Sequence, residues 1–385
     1  MSYDAIVVGA GISGAATAWH LAKAGAKTLL LERGEPASGG TGKSAAIIRQ
    51  SYSTPLLVRL ARASITMFEN AQAELGRHAG FVQDGYCFVV SADMLDGAKK
   101  NVAMQKGLGI LNDWSEGPGF PQHLPEMNPE GVAGIVYEPH GGYADPVQAT
   151  EAYVGAFQQR GEFRARTPVR RLLREGDRIT GVELDGGAVR ANFVVNAAGP
   201  WARPLAASAG IDLPLRSVRE QDTVWQVPAG RAVPKTSVSM GVDACYYRPL
   251  GDNRFIIGRG FPKEYVDVDP YNYKTSADAD FIGDVQTRVE RRFPAFSGMK
   301  LIEAYAALYD VTPDWYPFVG PRAGFAGYAD FSGGSGHGFK IAPAIGRELA
   351  DWLLTGKVAD DFRQFSHDRI AQGALFVQSF GGNRG

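Results

Sequence analysis

The sequence has little cysteine, no excess charge of either sign and no long apolar run. Its two cysteines, Cys87 and Cys245, match neither a metal-ligand spacing nor a Cys-x-x-Cys motif. Their scarcity excludes a disulfide framework and the cysteine pair of a disulfide reductase. Each stands in an apolar, strand-like run, so we expect both to be small buried hydrophobes. A formal net charge of -1 provides no broad field that would attract nucleic acid or an anionic membrane.

Membrane and targeting signals are missing as well. No apolar run is long enough to cross a bilayer, and the first residues lack a basic start followed by an apolar stretch. We therefore expect a cytoplasmic protein with no membrane or nucleic-acid partner and no metal site. The chain does have 385 residues, which predicts two closely joined domains. Its 48 glycines predict many tight turns and close backbone approaches.

The first thirty-odd residues predict a complete βαβ unit. Residues 5–8 form a β-branched run without polar alternation, which is typical of a strand buried on both faces. Good helix formers follow over residues 15–24 and are ended by Gly25. Residues 28–32 predict a second buried strand.

The turn between the first strand and the helix predicts binding of a dinucleotide. In its Gly-x-Gly-x-x-Gly pattern, the glycines allow a tight turn, close approach of the pyrophosphate and packing of helix on strand. The helix N-terminus stabilises phosphate. Glu32 lies eighteen residues after Gly14, where a carboxylate binds ribose hydroxyls and disfavours NADP. This unit alone leaves NAD and FAD open. The cofactor contacts predicted here are Gly9, Gly11, Ile12, Ser13, Gly14, Glu32 and Arg33.

Later segments alternate between two kinds of pattern. Residues 193–199 predict another buried parallel strand, whereas residues 81–90 and 244–259 predict antiparallel strand pairs. The turn of the second pair contains Asp252 and Asn253, which tolerate positive φ. Further helical patterns cover residues 146–160, 277–293 and 341–354.

This alternation predicts an α/β fold in which a Rossmann-type dinucleotide-binding domain is interleaved with an antiparallel-sheet (α+β) substrate domain. The first domain is predicted to comprise residues 1–80, 145–215 and 315–375. The second is predicted to comprise residues 81–144 and 216–314. The Gly/Arg-rich tail, residues 381–385, is expected to be disordered.

Five further motifs follow one another along nearly the whole chain. They are SAAIIRQ at 44–50, GYADP at 142–146, NAAGPW at 196–201, LYDVTPD at 308–314 and GGSGHGFK at 333–340. In this order they resemble the D-amino acid oxidase superfamily of FAD-dependent oxidoreductases, and within it the sarcosine oxidase and dimethylglycine dehydrogenase branch. The resemblance implies that the cofactor is FAD and that the two domains are interleaved.

The resemblance also implies further cofactor contacts. Glycines before a helix present N–H groups to the flavin N1 and C2 carbonyl, which gain negative charge on reduction. Small residues at the end of the 193–199 strand allow close approach of the adenosine half. The implied contacts are Ser44, Ala45, Ala197, Ala198, Gly199, Trp201, Gly334, Gly336, Gly338, Phe339 and Lys340.

Four residues are predicted to carry the chemistry. The resemblance implies that Arg49 and Lys340 bind the substrate carboxylate, which suits a guanidinium and an ammonium in a partly dry pocket. Taken alone, an arginine such as Arg49 is more often a surface or ion-paired residue. Tyr246 matches the active-site tyrosine of the family, and strand geometry points its neighbour Tyr247 to the opposite face. His337 either contacts flavin or substrate, or bonds the backbone.

Departures from the family pattern bear on the flavin. Ala307 stands where monomeric sarcosine oxidases have the cysteine linked to flavin, and residues 42–44 lack the histidine that dehydrogenases attach. Noncovalent FAD is therefore expected. The lysine that promotes reaction with oxygen is replaced near Ile256, and Lys43 or Arg259 could supply its charge. The electron acceptor, oxygen or another, stays open.

The predicted reaction is oxidation of the C–N bond of a small amino or imino acid with a secondary or N-alkylated, sarcosine-like amine. Hydride would pass to flavin N5 and leave an imine that water hydrolyses. One alternative is a dehydrogenase or electron-passing subunit of a multisubunit complex, because residues 308–314 look closer to the multisubunit members. The other is a non-catalytic FAD-binding subunit.

Overall fold

The computed structural model describes residues 2–377, except for the side chains of Pro118 and Pro121, so the predicted disordered tail lies outside the described residues. The strands, in chain order, are β1 (Ser2–Val8), β2 (Thr28–Leu31), β3 (Ile47–Ile48), β4 (Tyr86–Val90), β5 (Asp113–Ser115), β6 (Gly134–Glu138), β7 (Gly142–Tyr143), β8 (Glu162–Arg164), β9 (Arg171–Glu175), β10 (Arg178–Leu184), β11 (Gly187–Asn196), β12 (Arg216–Gln226), β13 (Ser237–Met240), β14 (Cys245–Gly251), β15 (Arg254–Arg259), β16 (Val266–Asp267), β17 (Lys300–Val311), β18 (Phe318–Arg322) and β19 (Phe325–Ser332).

The α-helices are α1 (Ile12–Lys23), α2 (Pro55–Glu69), α3 (Ala71–Leu75), α4 (Leu95–Gly107), α5 (Phe120–His123), α6 (Pro146–Gln158), α7 (Ala202–Ala207), α8 (Ala279–Arg292), α9 (Ala342–Thr355) and α10 (Asp368–Ala371). Short 3₁₀ helices span Thr41–Lys43, Ala92–Met94, Gly117–Gly119, Gly199–Trp201, Pro294–Phe296 and Phe362–Phe365.

The first sheet is the predicted dinucleotide-binding sheet. Strands β19, β11, β1, β2 and β8 run parallel in this order, and the antiparallel strands β9, β10 and β18 extend it. The last four residues of β1 and all of β2 are buried, as expected for strands covered on both faces. Helices α1, α6 and α9 cover one face. Gly346 lets α9 approach α1, since a Cβ there would lie 2.9 Å from the Thr17 amide nitrogen.

The second sheet has nine strands in the order β16-β12-β15-β14-β13-β4-β6-β5, with β17 also paired to β12. It is antiparallel except where β13 pairs with β4, two strands that come from separate segments of the chain. One face packs on α8 and holds an aromatic core around Tyr247, Phe293 and Phe296. Trp225 and both cysteines also lie in buried positions.

The predicted fold class is confirmed. The predicted helices 15–24, 146–160, 277–293 and 341–354 correspond to α1, α6, α8 and α9, and the 244–259 pair is the hairpin of β14 and β15. The strand pair predicted over 81–90 is wrong, because only β4 is a strand there. Val82 forms a single bridge to Tyr143 instead. The domain bounds remain a proposal. The second sheet supports them, because its strands come from two separate segments of the chain.

Candidate active site

A cavity of about 640 Å³ lies between the two sheets. Its walls include the carboxyl ends of β1, β2 and β19, the edge at which parallel sheets bind ligands. The predicted residues that line it are Gly9, Gly11, Ile12, Ser13, Glu32, Arg33, Ser44, Ala45, Arg49, Ala197, Ala198, Gly199, Trp201, Tyr246, Gly334, Gly336, Gly338, Phe339 and Lys340. Gly14 and His337 lie outside this wall.

The turn between β1 and α1 has the close contacts that its glycines predict. Gly9 has φ +103°, and a Cβ there would lie 2.5 Å from the Ala197 carbonyl oxygen. A Cβ on Gly14 would lie 1.8 Å from the Gly9 carbonyl oxygen, so Gly14 serves packing within the turn. Gly9, Gly11, Ile12 and Ser13 line the cavity, so the backbone at the N-terminus of α1 faces it, as a pyrophosphate requires.

The Glu32 carboxylate is fixed by backbone donors. The Ala10 and Gly34 amides each donate to it at 2.8 Å, one to each oxygen. Arg33 stacks 3.7 Å from the Trp201 ring centre, and both side chains line the same end of the cavity. A ribose acceptor and a flat aromatic surface thus stand together, which fits the adenosine half of FAD.

The glycine-rich loop before α9 forms a second cradle. Gly333 donates its N–H to the Asp310 carboxylate at 2.6 Å, and Ser335 donates to the Asp310 carbonyl at 3.0 Å. Gly336 has φ +81°, and a Cβ there would lie 2.4 Å from the Tyr309 ring. A Cβ on Gly338 would lie 2.9 Å from Gly334. Larger residues would fill this loop, so its backbone fits close contact with a flat ring system.

Two buried basic side chains lie in the cavity wall. Arg49 donates to the Ser51 carbonyl, and its guanidinium lies 4.8 Å from the Tyr52 ring centre. Lys340 is buried just before α9, and no described carboxylate forms an ion pair with it. Burial lowers the pKa of Lys340 well below its usual value, and neighbouring Arg49 lowers it further. An anion bound here would offset the free-energy cost of burying positive charge on both Arg49 and Lys340.

His337 contacts protein groups and the edge of a side cavity. Its Nε2 lies 2.6 Å from the Trp315 carbonyl oxygen, and its Nδ1 lies 3.4 Å from the Tyr52 hydroxyl. A carbonyl only accepts, so Nε2 carries the proton. Burial, followed by the charge of Lys340, lowers the pKa of His337 to about 3 and keeps the ring neutral.

The side cavity adjoins the main one and is mostly aromatic and apolar. Its volume is about 80 Å³, and it shares Arg49, Ser239 and Tyr246 with the main cavity. Phe88, Val102, Val136, Tyr52 and Tyr86 complete much of its wall. An alkyl group on a ligand held by Arg49 would find an apolar surface here.

Tyr246 lies on the cavity face of the second sheet, whereas Tyr247 is buried in the core on the other face. The Tyr246 hydroxyl donates to the Asp222 carboxylate at 2.7 Å. Burial raises the pKa of Asp222 to about 7, against the lowering effects of the Tyr246 hydrogen bond and of Lys263. Nearby Glu220 adds to the rise.

Sequence reasoning missed Glu220, Asp222 and Thr41. The two acids are two residues apart on β12, a spacing that places both on one face, but their polar surroundings in the sequence resemble an exposed edge. Thr41 accepts a hydrogen bond from the Ile12 amide at 3.2 Å and so helps to shape the start of α1. No motif signalled that contact.

The structure also shows where the residues that depart from the family pattern lie. Ala307 and Lys43 line the cavity, and the Lys43 ammonium donates to the Ala306 carbonyl at 3.2 Å. Arg259 forms an ion pair with Asp284. Ile256 is buried in β15. Of the two cations considered as replacements for the missing lysine, Lys43 is the one in the cavity wall.

Other kinds of site are not seen among residues 2–377. No group of three or more His, Cys, Asp or Glu side chains in this part of the chain could hold a metal ion. None of its helices is long and apolar enough to cross a membrane.

The fold and the site together define a dinucleotide-binding protein with room for a flavin between its two sheets. The chain belongs to the DAO family of FAD dependent oxidoreductases, whose model matches residues 4–352. The cofactor is therefore FAD, and the two glycine-rich cradles fit it.

Named relatives share the full length of the chain. It is 28% identical over 389 residues to 4-methylaminobutanoate oxidase (formaldehyde-forming) of Paenarthrobacter nicotinovorans, covering 98% of this chain and 46% of that protein. It is 27% identical to human (Homo sapiens) mitochondrial dimethylglycine dehydrogenase, covering 96% and 44%. The chain thus spans less than half the length of these relatives. The structure of L-proline dehydrogenase from P. horikoshii matches with a TM-score of 0.89 at 26% identity, covering 97% of this chain and 99% of that one.

Proposed function

We propose that the chain catalyses FAD-dependent oxidation of the C–N bond of a small amino or imino acid whose amine is secondary or N-alkylated. The observation that carries the proposal is the pair of buried cations, Arg49 and Lys340, in the wall of the flavin-sized cavity. The names of the relatives support the substrate class, since methylaminobutanoate, dimethylglycine and proline are all carboxylates with secondary or tertiary amines.

The protein's part is to bind and orient the substrate. Arg49 would hold the carboxylate through its planar fork, and Lys340 would add a second positive charge in a site with little water. The side cavity next to Arg49 would accept the alkyl group. FAD, when bound, supplies the two-electron oxidation. The imine that leaves the site is hydrolysed by water.

Noncovalent binding of FAD is part of the proposal. Ala307 is part of the cavity wall, and none of the described residues that line the main cavity is a cysteine or histidine. FAD would then be held by the turn at Gly9, by Glu32 and by the loop before α9. Denaturation should release all the flavin into solution.

The experiment is anaerobic reduction of the bound flavin by a panel of amino acids, in the wild type and in Arg49 variants. The panel is sarcosine, dimethylglycine, proline, pipecolate, 4-methylaminobutanoate, glycine and the two alanine enantiomers. Arg49→Ala should weaken substrate binding at least about a hundredfold, because it removes two charge-assisted hydrogen bonds, while FAD is retained.

The control is Arg62→Ala, which removes an exposed guanidinium whose bond goes to the Leu108 carbonyl. It should bind and reduce like the wild type. Unchanged reduction in Arg49→Ala would remove Arg49 from the site. A wild type that no panel member reduces would favour the alternative of a non-catalytic FAD-binding subunit. Admission of air to reduced enzyme separates oxygen from another acceptor.

A further inference from the structure

A row of cross-strand neighbours crosses the cavity face of the second sheet. Ser239 pairs with Tyr246, Tyr246 with Gly258, Gly258 with Asp222, and Asp222 with Tyr305. In-register neighbours on one face of a sheet project side by side. Ser239, Tyr246 and Asp222 all line the main cavity.

Gly258 is the position that lets Asp222 and Tyr246 meet. The two side chains come from strands on either side of β15, and their hydrogen bond passes over Gly258. A Cβ on Gly258 would lie 2.3 Å from Asp222 Oδ1 and 2.4 Å from the Tyr246 hydroxyl oxygen. Only a residue without a side chain leaves room for this pair, so the backbone at residue 258 is matched to it.

Asp222 differs from the other carboxylates in the wall. Glu32 accepts from two backbone amides, Asp310 accepts from Gly333, and Glu220 forms an ion pair with Lys263. Among the described residues, no lysine or arginine forms an ion pair with Asp222, which accepts a hydrogen bond from the Tyr246 hydroxyl. It is the acid in the cavity wall that is not already matched by a cation or by backbone donors.

We propose that Asp222, held by Tyr246 over Gly258, binds the amino group of the substrate and accepts its proton. The inference rests on the proposed function and names the residue that recognises the amine. Arg49 and Lys340 would bind the carboxylate end of the zwitterion, and Asp222 would bind the opposite charge.

The proton step is balanced within the site. One N–H bond of the substrate ammonium breaks and one O–H bond forms on the Asp222 carboxylate, so a cation and an anion become a neutral amine and a carboxylic acid. No electrons are transferred. Tyr246 continues to donate to the same carboxyl group. The neutral amine then has the lone pair that oxidation of its C–N bond requires.

The groups around Asp222 make it suited to this exchange. Tyr246 of β14 and Tyr305 of β17 flank it, Tyr309 lies further along β17, and the Glu220–Lys263 pair lies beside it on the β12 side. The pair is neutral overall and the tyrosines are uncharged. The Lys43 ammonium also lies in this wall, bonded to the Ala306 carbonyl, and Asp222 is the carboxylate there that can balance the charge of a substrate amine.

The first test is binding selectivity between an amine and its carbon analogue. Calorimetry with the FAD-bound protein, its flavin reduced beforehand and kept under anaerobic conditions so that no amine is oxidised, would compare sarcosine with butyrate, and proline with cyclopentanecarboxylate. The wild type should prefer the amines. Asp222→Asn should lower this preference at least tenfold, while the affinity for butyrate stays the same or rises because a negative charge is lost.

A matched control is Asp177→Asn, which removes one negative charge at an exposed turn outside both cavities. It should keep the preference for amines. Tyr246→Phe should lower the preference less than Asp222→Asn, because it leaves the carboxylate but removes its hydrogen bond. Tyr246→Phe also tests the role of the Asp222–Tyr246 pair independently if Asp222→Asn folds poorly.

The second test is the pH profile of flavin reduction by the panel member that reduces the wild type. The wild-type rate should show an ionisation near neutral pH that Asp222→Asn lacks. Asp222→Asn with unchanged selectivity and an unchanged profile would overturn the inference, as would a wild type that does not distinguish amine from carbon analogue. Failure of the proposed function looks different, because then no panel member reduces even the wild type.

Discussion

At the scale of single residues, the site is built from carboxylates with different tasks. Glu32, Asp310 and Glu220 each have strong partners within the protein, and these contacts position backbone or neighbouring side chains. Among residues 2–377, Asp222 forms no ion pair and accepts its hydrogen bond from the neutral Tyr246 hydroxyl. A buried carboxylate destabilises the folded protein unless it has a partner. The three partnered acids therefore serve the structure, and Asp222 is the acid that we propose for binding a ligand.

Glu32→Ala should weaken binding of FAD about tenfold to a hundredfold. The change removes an acceptor for ribose hydroxyls and leaves the Ala10 and Gly34 amides without their partner. Titration of the apoprotein followed by flavin fluorescence measures the dissociation constant. Glu35→Ala is the control, since Glu35 forms an exposed pair with Arg166. Equal constants for both variants would contradict the role of Glu32.

Asp222→Asn should stabilise the protein, and the gain should depend on pH. Burial raises the pKa of the Asp222 carboxyl from 3.8 to about 7 in the folded state. Between these values the unfolded state has already released its proton and the folded state has not, so stability of the wild type falls as pH rises. Asparagine avoids this loss.

The measurement is the midpoint of thermal unfolding of both proteins, without FAD, from pH 4 to pH 8. The gap between them should widen up to about pH 7 and then stay constant. Asp177→Asn, at an exposed turn, is the control and should give no such trend. A gap that is independent of pH would show that Asp222 is ionised throughout.

At the scale of elements, one family motif is explained by capping. Asp145 Oδ1 accepts hydrogen bonds from the Val147 and Gln148 amides, both at 2.9 Å, and so caps the N-terminus of α6. Pro146 follows at the first position of the helix, where its fixed φ is favourable. Asp145 therefore serves the fold, and it does not line the main cavity.

Asp145→Ala should destabilise the protein by about 1 kcal/mol, the usual cost of a lost N-cap. Chemical denaturation gives the free energy of unfolding, and Asp145→Asn, which keeps an acceptor, should retain most of it. Substrate affinity should be the same in all three proteins. A hundredfold loss of affinity in Asp145→Ala would mean that the residue has a task in the site.

Sequence patterns predicted the elements that have a strong local signal. The βαβ unit was predicted because its strands are apolar without alternation and its turn needs glycine. The 244–259 hairpin was predicted because Asp252 and Asn253 tolerate positive φ, and in the structure their φ angles are +51° and +54°. The pair over 81–90 was predicted wrongly because Gly85, with φ +84°, immediately precedes β4 and does not turn the chain back on itself.

At the scale of the whole molecule, the cavity depends on both sheets. The first sheet contributes strand ends and glycine turns, and the second contributes a face with Tyr246 and Asp222. Bonds across the gap join them, including Arg248 to the Ala45 carbonyl and Ser217 to the Pro200 carbonyl. Flavin bound between the sheets would strengthen this connection.

Bound FAD should therefore stabilise the entire chain. At a free concentration a hundred times its dissociation constant, a ligand adds about 2.7 kcal/mol. Calorimetry should show one unfolding transition whose midpoint rises with added FAD. Two transitions, of which only one moves with FAD, would mean that the flavin contacts one sheet alone.

The cofactor contacts are local in the sequence and could be predicted from it, whereas the proposed substrate contacts come from distant residues and could not. Gly9 to Glu32 is a continuous segment, so its geometry could be predicted from spacing. The pairing of Asp222 with Tyr246 depends on the strand order β12-β15-β14 and on Gly258 between them. The spacing of residues in a single sequence does not determine that strand order. Without the strand order, Asp222 cannot be distinguished from an ordinary polar residue of a strand.

The most direct measurement is the absorbance spectrum of the purified, FAD-bound wild type as the amino acids of the panel are added without oxygen. Our account predicts that at least one amino acid with a secondary or tertiary amine bleaches the flavin, and that the carbon analogues butyrate and cyclopentanecarboxylate do not. Bound flavin that no panel member bleaches would contradict the proposed oxidation, and a protein that binds no flavin would contradict the account as a whole.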